Sequence, residues 1–302
     1  MTSPIISQAN RASTLLPTIL DYLALTKPVI LSLLLLTALG GMVSAAKGPP
    51  PVYLVLAVMI GGALAAGGAN ALNHYLDRDI DELMMRTRLR PVPGHRIAPQ
   101  HALAFGVVLN IAAFGVFVAW VNLLSAILSL GATLFYVFVY TLWLKRSTPQ
   151  NIVIGGAAGA VPPVVGWAAV TGGLELPALY LFAIVFFWTP PHFWALALMI
   201  MKDYARAGVP MLPVIIGVQE TKRSIFLYTA LLVALTLMFF TTQFVGWLYL
   251  VSATLLGAIL LFLSLRLLRA DGVQGARRLY LFSLLYLALL FLAITVDSVL
   301  KV

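Results

Sequence analysis

The sequence predicts an all-α, polytopic membrane protein with nine transmembrane helices. Three observations lead there. Hydrophobic residues make up 62% of the chain and charged residues only 10%, a balance that excludes an ordinary soluble domain. Nine apolar runs are each long enough, at roughly 20 residues, to cross a bilayer as a helix. Lysine and arginine are segregated to alternate loops, as in membrane proteins of fixed orientation.

The runs fall at about 29–46, 52–72, 101–119, 121–144, 151–171, 177–200, 224–244, 246–268 and 279–300. Between Ala102 and Leu144 the chain is almost continuously apolar, and Trp120 and Asn122 suit the interface that divides it there. With nine spans, every Lys and Arg except Lys47 and Lys301 falls on one side. The positive-inside rule then puts the N-terminus in the cytoplasm and the C-terminus outside. The +9 net charge is thus a topology signal. Nucleic acid is excluded as a partner, because the basic residues sit in short loops between apolar runs. A chain without cysteine has no disulfides and no thiolate chemistry. The first 28 residues, with Arg11, Asp21 and Lys27, do not read as a cleavable signal peptide. The whole of 1–302 reads as a single transmembrane domain. Four spans and a loop return the chain to the same side, so 29–146 and 151–268 suit parallel repeats, with 279–300 left over.

Polar residues gather after the second span, in Asn70-Ala-Leu-Asn73-His-Tyr-Leu-Asp77-Arg-Asp79-Ile-Asp81-Glu82, followed by Arg86, Arg88 and Arg90. Four of the ten acids lie here. At 100° per residue, Asn70, Asn73, Asp77 and Asp81 fall at about 0°, 300°, 340° and 20°, one stripe at the membrane surface, with Asp79 on the opposite side. Carboxylates four apart, with an amide one turn earlier, suit a hard cation such as Mg2+, which holds substrate phosphates through one or two carboxylates. The competing reading is a solvated helix end whose acids pair with Arg78 and Arg86. So few acids in a membrane protein favour function.

Lys145 and Arg146 close the fourth span, as anchors or as a grip on a diphosphate. Tyr136 and Tyr140, one turn apart, suit either an aromatic belt or a π-shield for a carbocation. The sixth span holds Trp188-Thr-Pro190-Pro191-His192-Phe193-Trp194. The proline pair predicts a kinked or unwound helix lining a cavity. His192 suits porphyrin contact, iron ligation or proton transfer, or else a structural bond to a freed carbonyl. The loop after it carries Lys202, Asp203, Tyr204 and Arg206, with Ala207 four residues after Asp203. The run Gly155-Gly-Ala-Ala-Gly159 predicts close helix packing.

These strings together resemble the UbiA superfamily of intramembrane prenyltransferases. The match lies in Asn73-x3-Asp77-x3-Asp81, Lys145-Arg146 and the Asp203 loop. Four longer strings resemble the branch of that superfamily that farnesylates haem: Asn73 to Pro91, Leu144 to Gly159, Trp188 to Ala197, and Lys202 to Pro213. The resemblance implies nine helices around a central cavity open to the membrane. It implies farnesyl diphosphate and haem b as substrates, Mg2+ as cofactor and haem O as product. Functional positions then fall on Asn70, Asn73, Asp77, Asp81, Arg86, Arg90 and His192. Mg2+ is assigned to Asn73, Asp77 and Asp81 with Asp203. Lys145, Arg146, Arg86 and Lys202 neutralise the diphosphate, Tyr136 or Tyr140 shields an allylic cation, and Tyr204 lies with the substrate. Arg88 or Arg90 pairs with the haem propionates. The superfamily's second motif has two acids four apart, and Ala207 replaces one of them here. The resemblance also implies a bacterial-type inner membrane, lipid contact, and a haem A synthase or terminal oxidase as recipient. Two alternatives remain on the residues alone: prenyl transfer to another acceptor, and a transporter built from the repeat. The acids gathered at one surface, not at the midplane, favour an enzyme.

Overall fold

In lipid, an apolar run satisfies its backbone polar groups within one helix. The computed structural model describes residues 18–300. Arg11 and Lys301 of the charge pattern, and most of the first 28 residues with their signal-peptide reading, lie outside these residues. Among the described residues nine helices are long and apolar enough to cross a membrane. They are α1 (Pro28–Ala46), α2 (Val52–Leu76), α3 (Pro99–Trp120), α4 (Leu123–Ser147), α5 (Asn151–Thr171), α6 (Leu176–Met199), α7 (Leu212–Thr241), α8 (Trp247–Arg269) and α9 (Ala276–Leu300). Two short helices, Arg78–Leu83 and Met201–Arg206, sit in the loops after α2 and α6.

Four details depart from the pattern in the sequence. The second half of α4, Phe135–Leu144, is a π-helix, a form that concentrates at functional sites. Helix α5 is two α-helical pieces that meet at Val161, where Pro162 starts the second. Helix α7 begins at Leu212, not near 224, and is interrupted at Gly217 (φ 81°, ψ 172°). The fourth departure is in α6, which is not unwound at its proline pair. Pro190 and Pro191 lie inside a helix that runs on to Met199. Proline's φ is compatible with a helix, and the loss is confined to two hydrogen bonds and crowding at the carbonyls one turn back.

The core has two main parts. α5 to α9 bury Trp167, Leu181, Ile184, Phe239, Tyr249, Tyr286 and Phe291. α1 to α5 enclose a smaller group around Met42, Val58 and Phe117. Large apolar side chains such as Val29, Ile111, Leu227 and Phe262 are exposed on the outside, where lipid would cover them. At the end away from the basic loops, Asp297 of α9 is buried and accepts from the backbone N–H groups of Gly246 and Tyr249. It caps the start of α8, where a carboxylate also complements the helix dipole.

Small residues let the helices approach. A Cβ on Gly41 of α1 would run into the Pro163 carbonyl, and one on Gly166 of α5 into the Ala38 carbonyl. Gly155 lies against the Tyr140 ring, and Gly156 against Thr189, where a Cβ would be 2.9 Å from the side chain. The small-residue run therefore packs as expected at two of its glycines. Gly159 has open space beside it. We predict that Gly166→Val costs about 3 kcal/mol, because a backbone oxygen cannot rotate away. Gly159→Ala should be neutral or slightly stabilising. Thermal unfolding of the purified variants in detergent checks both.

Candidate active site

The polar stripe of α2 ends in a buried row. Asn73, Asp77 and Asp81 are 4%, 0% and 2% exposed. Asp77 closes α2, and the Asp81 N–H donates to the Asp77 carbonyl at 2.8 Å. The short helix 78–83 thus continues the stripe with little change of phase. Asp79 points away, as the helical angles require, and is mostly exposed.

A fully buried carboxylate needs charge compensation. The Lys145 ammonium supplies it at 2.5 Å from Asp77 Oδ2, and Asn73 Nδ2 donates to the same oxygen at 2.6 Å. Asp77 Oδ1 has no hydrogen-bond partner; Arg146 stands off at 3.9 Å. Asp81 is held by Arg90 Nη1 at 3.0 and 2.8 Å from its two oxygens. Arg146 is committed to Asp79 at 2.7 and 2.8 Å and to the Leu76 carbonyl. That bond holds the Asp79 carboxyl down at about 2.

Asp203 brings the second loop to the first. Its carboxylate accepts from the Arg86 N–H at 3.4 Å and lies 3.5 Å from Arg206. Tyr204 is buried among Ile80, Met84, Ile152 and Met211, and burial pushes its phenol up. Tyr140 packs on the same cluster and stacks on Tyr136 with ring centroids 5.4 Å apart. Ala207 faces Asp79 and Arg146 across a surface cleft, so the position of the missing second acid lies beside an ion pair. Lys202 is exposed. Asn70 donates to the Thr26 carbonyl at 3.0 Å, a bond that shapes the chain entering α1.

That chain carries a residue missed in the sequence. Lys27 Nζ donates to Asn73 Oδ1 at 2.9 Å. Its backbone is left-handed (φ 53°), directly before Pro28, a position that disfavours helical backbone of either hand. Such local strain collects at functional sites. Burial, then repulsion from Arg90 and Lys145, brings the Lys27 ammonium down to about 7, against the pull of Asp81 and Asp77. The available signal is a lysine at the mouth of the first span, on the same side as the acids, where the topology pattern alone already accounts for it. Thr141, which accepts from Asn73 Nδ2 at 3.2 Å, and buried His74, with neither ring nitrogen bonded, were also missed. At about 40° on the same helical wheel, His74 shares the stripe.

His192 belongs to another wall. Its partners are Trp188, Phe193, Tyr280 and Ser283. Its Nδ1 is bonded to a hydroxyl of α9, and no freed carbonyl of α6 holds it.

The donor set fits Mg2+. The orphaned Asp77 Oδ1, Asn73 Oδ1 and the Asp81 carboxylate are hard oxygens, and this ion needs only one or two carboxylates when phosphates complete its shell. No group of three His, Cys, Asp or Glu at metal-binding spacing occurs among the described residues, so the protein alone forms no closed cage.

The model of the UbiA prenyltransferase family matches residues 34–293. The chain belongs to this family. It is 51% identical to a protoheme IX farnesyltransferase of Gloeobacter violaceus, over 99% of both chains. It is 54% identical to one of Symbiobacterium thermophilum, over 92% of this chain and 93% of that one. A third, from Roseiflexus sp., is 54% identical over 92% of this chain. The chain spans about half the length of the two Roseiflexus relatives, 52% in each case. Among solved structures, a digeranylgeranylglyceryl phosphate synthase superposes with TM-score 0.75 at 19% identity, covering 95% of this chain and all of that one. A UbiA homolog from Archaeoglobus fulgidus, bound to DMAPP and Mg2+, gives TM-score 0.68 at 18% identity, over 93% of this chain and all of that one. The nine-helix expectation therefore holds as the family fold.

The ion pair at the centre of this UbiA-family site gives a stability test. Lys145→Met should cost about 3 kcal/mol, because it strands a buried carboxylate. Adding Asp77→Asn should recover part of that loss, with a coupling of roughly 1–3 kcal/mol in a double-mutant cycle of thermal unfolding.

Proposed function

We propose that the protein transfers the farnesyl group of farnesyl diphosphate to a vinyl group of haem b, giving haem O and diphosphate. The observation that carries this reading is the buried row Asn73–Asp77–Asp81 with Lys27, Lys145 and Arg90 upon it. Two carboxylates and three cations meet at the basic end of a membrane bundle. Such a site offers oxygens to a divalent ion and positive charge to a diphosphate. The relatives named protoheme IX farnesyltransferase support the choice of acceptor and prenyl donor.

The donor's apolar tail lies in the bundle or the lipid, and its diphosphate meets the stripe. Lys145 and Arg90 exchange carboxylate oxygens for phosphate oxygens, which frees Asp77 and Asp81. Asn73, Asp77 and Asp81 would hold Mg2+ there, with Asp203 on the second loop as a further oxygen donor. When bound, the ion supplies Lewis-acid stabilisation of the leaving diphosphate. Lys145 and Arg86 add fixed positive charge where negative charge develops, and Lys27 adds a charge that titrates. The carbon–oxygen bond of the donor breaks and leaves an allylic cation, which the stacked Tyr136 and Tyr140 shield with their π-faces. The vinyl group of haem b forms the new carbon–carbon bond. The resulting cation takes up water and loses a proton, leaving a hydroxyl group. The closed packing around Tyr140 and Tyr204 keeps water from the first cation. The basic face is assigned to the cytoplasm and the membrane to a bacterial-type inner membrane. The recipient of the product is a haem A synthase or a terminal oxidase.

Purified protein in lipid nanodiscs with haem b, farnesyl diphosphate and Mg2+ should yield a haem species heavier by a hydroxyfarnesyl unit in mass spectrometry. A chelator should abolish it. Diphosphate release without that species would overturn the choice of acceptor, and neither product from folded protein would overturn prenyl transfer. Asp77→Asn should fold and lose most of its turnover, since a metal carboxylate contributes several kcal/mol to such a transition state. Wild-type turnover in that variant would remove Asp77 from the site.

A further inference from the structure

His192 is buried about two turns inside α6, about 10 Å along the axis from Met199. Two aromatic neighbours set the plane of its ring. Trp188 stacks on it with centroids 4.4 Å apart and Tyr280 with centroids 4.7 Å apart. One residue of α9 holds both members of the α6 motif. The backbone carbonyl of Ser283 accepts from Trp188 Nε1 at 2.7 Å, and its hydroxyl lies 2.8 Å from His192 Nδ1.

The direction of that second bond follows from proton counting. A serine hydroxyl has one proton. Ser283 donates it to the Tyr280 carbonyl at 2.7 Å. The hydroxyl oxygen can then only accept from His192, so Nδ1 carries the hydrogen. In the neutral imidazole Nε2 keeps the lone pair, and it has no protein partner among the described residues. A histidine whose far nitrogen is tied to an acceptor, with its near nitrogen free, is the arrangement that orients imidazole ligands toward metals.

We infer that Ser283 is a positioning residue for the acceptor. It locks His192 in the Nδ1–H tautomer and leaves Nε2 to ligate the haem iron. This rests on the reading of haem b as acceptor. The iron bond fixes the porphyrin ring relative to α6, while the prenyl donor is held at the stripe.

Ser283→Ala separates the two bonds, because the backbone carbonyl that holds Trp188 remains. The test is resonance Raman spectroscopy of the full-length protein in nanodiscs loaded with ferrous haem b. The wild type should show an iron–histidine stretching band, and His192→Ala should lose it. Ser283→Ala should shift the band to lower frequency, since the hydrogen bond given by Nδ1–H strengthens the ligand. Ser283→Thr, which restores a hydroxyl, should move the band back. An unshifted band in Ser283→Ala, or haem bound without a band that depends on His192, would overturn the inference and leave the haem reading standing. Folded wild-type protein that shows no change in the haem absorption spectrum on titration would overturn both.

Discussion

Asp77 is a carboxylate with no solvent exposure in a chain with few acids, and the organisation of the charged end follows from compensating it. Its counter-charge, Lys145, comes from the end of α4. Its nearest amide, Asn73, is bonded in turn to Lys27 ahead of α1 and to Thr141 of the π-helix. Two segments far from α2 in sequence, the entry to α1 and the end of α4, are therefore tied to Asp77 and its neighbour Asn73. An unpaired charge at this depth would cost several kcal/mol. The helices must bring their ends to this point, and the bundle interior is arranged beneath it.

Unusual backbone occurs where that convergence is made. Lys27 takes a left-handed conformation before a proline, pinned by the Asn70 side chain on the Thr26 carbonyl. The π-helix of α4 changes the phase of the residues that end it, so that Thr141 and Lys145 meet the stripe. Gly155 clears the space for the Tyr140 ring beside it. Each feature is locally unfavourable and is held by packing, as expected where geometry serves a site.

The far wall follows a different logic. The Trp188–His192 turn of α6 is fixed by hydrogen bonds to α9, a helix that is mostly apolar between its charged ends. Charge organises the stripe, while aromatic stacking and two neutral hydrogen bonds organise this wall. The proposed site, with a diphosphate at the surface and a large aromatic acceptor deeper in the bundle, has use for both.

The sequence by itself determined the number of spans, the segregation of charge and the membership of Asn73, Asp77 and Asp81 in one face. These are properties of composition and of a 3.6-residue repeat, which need no knowledge of neighbours. It also carried the family resemblance, through strings read in order. Only the tertiary structure decided which cation meets which acid: Lys145 with Asp77, Arg90 with Asp81, and Arg146 on the opposite side with Asp79. It alone placed Lys27 in the site and Ser283 behind His192. It kept α6 helical through two prolines, because the surrounding bundle holds the helix. Pairings across long separations depend on how whole helices cross. Crossing is set by the small residues and ridges of every partner at once, which a repeat along one chain does not encode.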